Sequence, residues 1–100
     1  MSLVIKKHIN KGKLLLAIAD KDLLGKIYTE GKKQLDLKSN FYKGEKKTNE
    51  EIISLIKGSY IVNAVGEKTI SFLEKTGFIS TKETLKINNI PYVQVVIINK

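Results

Sequence analysis

The run Leu14-Leu15-Leu16-Ala17-Ile18-Ala19 restricts the fold most: six apolar residues without polar alternation, set between Lys13 and Asp20. A strand with one wet face would alternate, so the segment Lys13 to Asp20 is covered on both faces and central in its sheet. Val4 to Ile9 is a second β-rich stretch, and Asn10-Lys11-Gly12 between them supplies Asn and Gly, which tolerate the positive φ of a tight turn. The chain therefore opens with a β-hairpin.

Further along, Asp20 stands as an N-cap candidate for a short turn, Lys21 to Leu24, stopped by Gly25. Leu35 and Leu37 share one face of an expected strand from Lys33 to Leu37, and Ser39 to Lys47 reads as a loop. Thr48 or Asn49 caps a helix whose first turn carries Glu50 and Glu51, and whose inward residues are Ile52, Ile53, Leu55 and Ile56 before Gly58. Ser59 to Val65 reads as a strand. Gly66-Glu67 opens a second helix ending near Lys75-Thr76, with Gly77 as its cap and Ile70, Phe72, Leu73 and Phe78 as its buried stripe. Thr84 to Ile87 and Pro91 to Ile98 close the chain as an antiparallel pair around Asn88-Asn89. The expected fold is α+β, a mainly antiparallel sheet with two principal helices on one face, in one compact domain over residues 1–100. An edge position for Val93 to Ile98 would allow a homodimer.

The longest apolar run is six residues, against roughly 20 needed to cross a bilayer, and no apolar run of signal-peptide length follows Met1. The expectation is a cytoplasmic protein with no membrane partner. Absent cysteine excludes disulfides and thiolate metal sites, and His8 stands alone, so neither a metal nor a cofactor is expected. The charge is +8, from 18 basic residues that are all Lys. An A/T-rich coding bias would supply part of that excess. Without guanidinium groups, contact with nucleic acid reduces to phosphate attraction, sensitive to salt and tolerant of sequence.

No motif names a reaction. Gly66-Glu67-Lys68-Thr69 follows a strand and starts a helix, but the spacing of a phosphate loop is missing and Glu67 would repel an anion. Asp20, Asp22, Glu45 and Glu67 could make a carboxylate site only if folding gathered them, and His8 has no accompanying nucleophile motif. Asn63, polar within an apolar strand, either bridges backbone or faces solvent, or else lines a small polar pocket with Gly66 and Glu67. Phe41-Tyr42-Lys43 could stack a base and hold its phosphate, or anchor the loop by its rings. Lys6, Lys7, Lys43, Lys46 and Lys47 would form a polyanion footprint if the first strand and this loop lie on one side.

Six segments together resemble a small archaeal family named only as domain of unknown function 424. They are Val4-Ile5-Lys6-Lys7-His8, Leu15 to Asp20, Asp22-Leu23-Leu24-Gly25-Lys26, Phe41-Tyr42-Lys43-Gly44-Glu45, Asn63-Ala64-Val65-Gly66-Glu67 and Ile90 to Val95. The family pattern has Pro-His where this chain has Pro91-Tyr92, which weighs against catalysis there. The resemblance implies an association with translation or RNA metabolism. The leading expectation is a non-enzymatic RNA- or ribosome-associated accessory protein using Lys6, Lys7, Lys43, Lys46 and Lys47 for phosphates and Tyr42 for stacking. Alternatives are a small-ligand or enzymatic site at Asn63, Gly66 and Glu67, and an adaptor that binds another protein.

Overall fold

The computed structural model describes residues 3–38 and 40–97. β1 (Leu3–Asn10) and β2 (Lys13–Asp20) form the opening hairpin, in register from Leu3 opposite Asp20 to Asn10 opposite Lys13. Lys11 and Gly12 carry the positive φ angles, 53° and 78°, of a mirror-image two-residue turn whose twist suits a hairpin. Asn10, expected to share that role, closes the ladder instead.

After a single 3₁₀ turn at Lys21–Leu23, β3 (Ile27–Glu30) and β4 (Lys33–Asp36) make a small second hairpin. Only β4 was expected. β3 is short and flanked by charge, and its one half-buried residue, Tyr28, is too few to show a period. Another 3₁₀ turn at Asn40–Tyr42 precedes α1 (Asn49–Lys57), followed by β5 (Ile61–Val65), α2 (Glu67–Lys75), a third turn at Thr81–Glu83, β6 (Leu85–Ile87) and β7 (Ile90–Val96). Asn88 and Asn89, at φ 52° and 64°, turn β6 into β7. The Ile98 end of the expected last strand lies outside the described residues.

The main sheet has the order β1-β2-β5-β7-β6; β2 and β5 run parallel and the other pairs antiparallel. β2 lies inside the sheet, which explains its unbroken apolar run. Leu16 and Ile18 point into the larger apolar layer with Ile52 and Ile56 of α1 and Ile70, Phe72 and Leu73 of α2. Ala19 points the other way, with Val4 and Val65, into a smaller layer closed by Leu37, Leu35, Tyr28 and Tyr42. Both helices thus cover one face, and the α+β expectation stands. The β3-β4 hairpin covers part of the other and is tied to the β6-β7 turn, where the Asn88 N–H donates to Glu30 Oε1 at 2.9 Å.

β7 pairs with β5 from Tyr92 to Val96 but with β6 only from Ile90 to Tyr92, so along Val93 to Val96 the described ladders flank it on one side alone. β1 and β6 are the outer strands. No helix among the described residues is long and apolar enough to cross a membrane.

α1 begins with a complete capping box. Thr48 Oγ1 accepts from the Glu51 N–H at 3.2 Å, and Glu51 Oε1 accepts from the Thr48 N–H at 3.0 Å. That N–H bond, then the Thr48 side chain and the charge of Lys47, hold the Glu51 carboxyl below its ordinary range. Thr48→Ala is expected to cost about 1 kcal/mol in urea denaturation. Glu51→Ala should also destabilise at neutral pH. Because the folded-state pKa is depressed, that contribution is full above the unfolded carboxyl pKa and lost as pH falls through the folded one. The gap between wild type and Glu51→Ala should therefore close on acidification.

Candidate functional site

The segment after the second 3₁₀ turn docks against the outer edge of β1. The Ile5 N–H donates to the Glu45 carbonyl at 2.8 Å, and the Glu45 N–H donates back to the Ile5 carbonyl at 2.9 Å. Gly44 permits this approach, since a Cβ there would collide with the Ile5 carbonyl oxygen. The consequence is electrostatic. Lys6 and Lys7 on β1 and Lys43 and Lys47 on the docked segment line one groove of about 370 Å³ with Ile5, Gly44 and Glu45. Four of the five expected lysines converge there; Lys46 is exposed beside them but does not line the groove. Lys47 Nζ lies 3.6 Å from Glu45 Oε2, whose residue is 82% exposed, a pair too solvated to hold the groove shut.

His8 fastens the same segment. Its Nε2 is 2.8 Å from the Phe41 carbonyl oxygen, and its ring stacks on Phe41 with centroids 4.3 Å apart. It is half-buried under the loop rather than a free surface histidine. Phe41 in turn meets Tyr42 edge to face at 5.0 Å. Tyr42 packs against the smaller apolar layer, and burial pushes its hydroxyl pKa up to about 12. It does not line the lysine groove, so the stacking role expected beside Lys43 is not available at that place.

Asn63, Gly66 and Glu67 do not converge. Asn63 sits opposite Ala17 and Gln94 in the sheet and lines a cavity on the face away from the helices. The Gly66 N–H donates to the Pro91 carbonyl at 2.8 Å and is not open to a pocket. Glu67 lines a different cavity of about 250 Å³ with Asp20 and Asp22. Glu45 stands apart from those three carboxylates.

Asp20 has a role that its position next to Lys21 concealed. It makes no side-chain cap to the adjacent turn. Instead its buried carboxylate reaches the start of α2: Oδ2 accepts from the Lys68 N–H at 3.1 Å, and Oδ1 accepts from the Thr69 N–H and Oγ1, both at 2.8 Å. The N-cap residue of α2 is Gly66, at φ 111°, which has no side chain to offer. A side chain there would strike the Asp20 carboxylate. A strand 46 residues earlier in the chain therefore supplies the cap that α2 lacks, and satisfies donors that the positive helix end leaves open.

A family model described as "Protein of unknown function (DUF424)" matches residues 8–98. The chain belongs to the DUF424 family. The fold of this DUF424 protein is also similar to the crystal structure of an uncharacterized conserved protein from Methanopyrus kandleri, with a TM-score of 0.79 and 21% sequence identity over 98% of this chain and 95% of that one. That likeness concerns the fold alone. No curated protein matches the chain. Within DUF424, the Asn63 to Glu67 segment behind the resemblance has a structural reason in this chain: Gly66 leaves room for Asp20.

Sequence reasoning weighed Tyr92 only as the replacement of a histidine and passed over Gln94; both share the Asn63 cavity. Alternation of Tyr92, Gln94 and Val96 against Val93 and Val95 was the available signal. The cap predicts a graded response. Asp20→Ala should cost about 3 kcal/mol by thermal or urea denaturation, as three donors lose a charged acceptor. Asp20→Asn should cost less, since its carbonyl oxygen can still receive the Thr69 bonds. Equal losses in the two variants would contradict this assignment.

Proposed function

We propose that the protein is a non-enzymatic RNA-binding accessory protein that holds the phosphate backbone in the lysine groove. The observation that carries the reading is the convergence of Lys6, Lys7, Lys43 and Lys47 from two segments 36 or more residues apart onto one 370 Å³ groove. Scattered lysines would express only composition; a groove concentrates their field and favours a linear polyanion. Ammonium groups on flexible stems suit phosphates and carry no base code. A ribosomal RNA segment is a substrate of this class. Glu45 at the groove tempers affinity and leaves binding readily reversible.

Fluorescence anisotropy with a single-stranded RNA tests the reading. With four phosphates neutralised, log affinity should fall with log salt at a slope of about −3. Lys43→Glu with Lys47→Glu should weaken binding far more than Lys82→Glu with Lys86→Glu, which changes charge equally on the third 3₁₀ turn and β6. Glu45→Gln should tighten it. Equal small effects from the two lysine pairs would remove the groove from the account.

A further inference from the structure

The sheet face away from the helices carries a second cavity, of about 440 Å³, with a different chemistry. Asn63 on β5 and Gln94 on β7 are cross-strand partners in register, so their side chains stand side by side on this face. Tyr42 and Tyr92 line the same cavity, with Leu85 and Glu83 also contributing. Among the described residues, neither the two amides nor the two phenol hydroxyls has a hydrogen-bond partner. Asn63 is half-buried and Gln94 exposed, so two adjacent carboxamides flanked by aromatic rings keep donors and acceptors that the fold leaves open to solvent or a ligand.

Charge narrows what the cavity would take. Among the described residues no lysine lines it, while the Glu83 carboxylate does. A phosphate or carboxylate ligand is therefore disfavoured. Tyr42, whose hydroxyl pKa burial raises to about 12, stays neutral and available to donate or accept. The volume lies within the range of small-molecule pockets. A neutral, planar group with donors and acceptors on its edge fits all of these features: carboxamides read such edges in pairs, and aromatic rings supply flat contact.

We propose that this cavity is a nucleobase site, in which Asn63 and Gln94 bind the base edge, Tyr42 and Tyr92 flank the ring, and Glu83 accepts from an exocyclic amine. Bases that carry an exocyclic amine are favoured over uracil. The site stands on residues separate from the lysine groove. Tyr42 and Lys43 are consecutive, so one strand could place its phosphates in the groove and an unstacked base here, whereas a free nucleoside would use the cavity alone.

Titration of the full-length protein with adenosine, cytidine, guanosine and uridine, followed by the side-chain amide signals of Asn63 and Gln94 in ¹⁵N–¹H spectra, tests the site. A short single-stranded RNA forms the second arm. The expected result is movement of both amides, with uridine weakest, and a loss of about tenfold in affinity in Asn63→Ala or Gln94→Ala. Glu83→Gln should reduce the preference over uridine. Response to free nucleosides supports a free-ligand source; response to RNA alone, lost in the same variants, supports a base within a strand. If neither arm moves the amides, or the alanine variants bind both probes as wild type does, the proposal is overturned. Lys43→Glu with Lys47→Glu separates the two readings: it should weaken RNA and leave nucleoside binding unchanged, so failure of the groove would not mimic failure of the cavity.

Discussion

The carboxylate of Asp20 joins the end of β2 to the start of α2, and the arrangement of the sheet centre follows from that junction. β2 and β5 lie parallel with Ala19 opposite Val65, so both strands end together. The turn out of β5 then brings the open N–H groups of α2 over the end of β2. Gly66 leaves the space, and Asp20 fills it with three hydrogen bonds while buried. A buried carboxylate without such donors would be strongly destabilising. Here the charge meets the positive end of a helix, so its desolvation is offset by bonds to an ionised acceptor and by the dipole. α2 is held at a fixed angle to the sheet, and Ile70, Phe72 and Leu73 reach the larger apolar layer.

A second close approach organises the surface. Gly44 admits the backbone of the docked segment to the β1 edge, and the two Ile5–Glu45 hydrogen bonds satisfy the outward donor and acceptor of Ile5. Docking at Ile5 and assembly of the lysine groove are thus one event. The His8 contact to Phe41 pins the other end of the segment, and Tyr42 carries it over the smaller apolar layer. Phe41 spends its ring on anchoring against His8, and Lys43 and Lys47 are positioned by that anchoring.

The elements readable in advance were those whose signals are local. The unalternating run of β2, the capping box of α1 and the Asn88-Asn89 turn each carry their meaning within a few residues. β3 escaped because four residues with one half-buried side chain set no period. Asp20 was read as a cap, which is correct chemistry, but its target lies 48 and 49 residues away, and only the parallel pairing of β2 with β5 brings it there. The same limit applies to function. The lysines could be named from their clustering in sequence, whereas the cavity of Asn63 and Gln94 exists only because β5 and β7 are neighbours.

Chemical-shift mapping of the ¹⁵N-labelled protein with a single-stranded RNA at low salt tests the central claim most directly, because it locates contact without altering charge. The account predicts that backbone amides of Lys6, Lys7 and the Lys43 to Lys47 segment shift together, and that the shifts collapse as salt is raised. Shifts centred on Lys82 and Lys86, or none at any site, would contradict it.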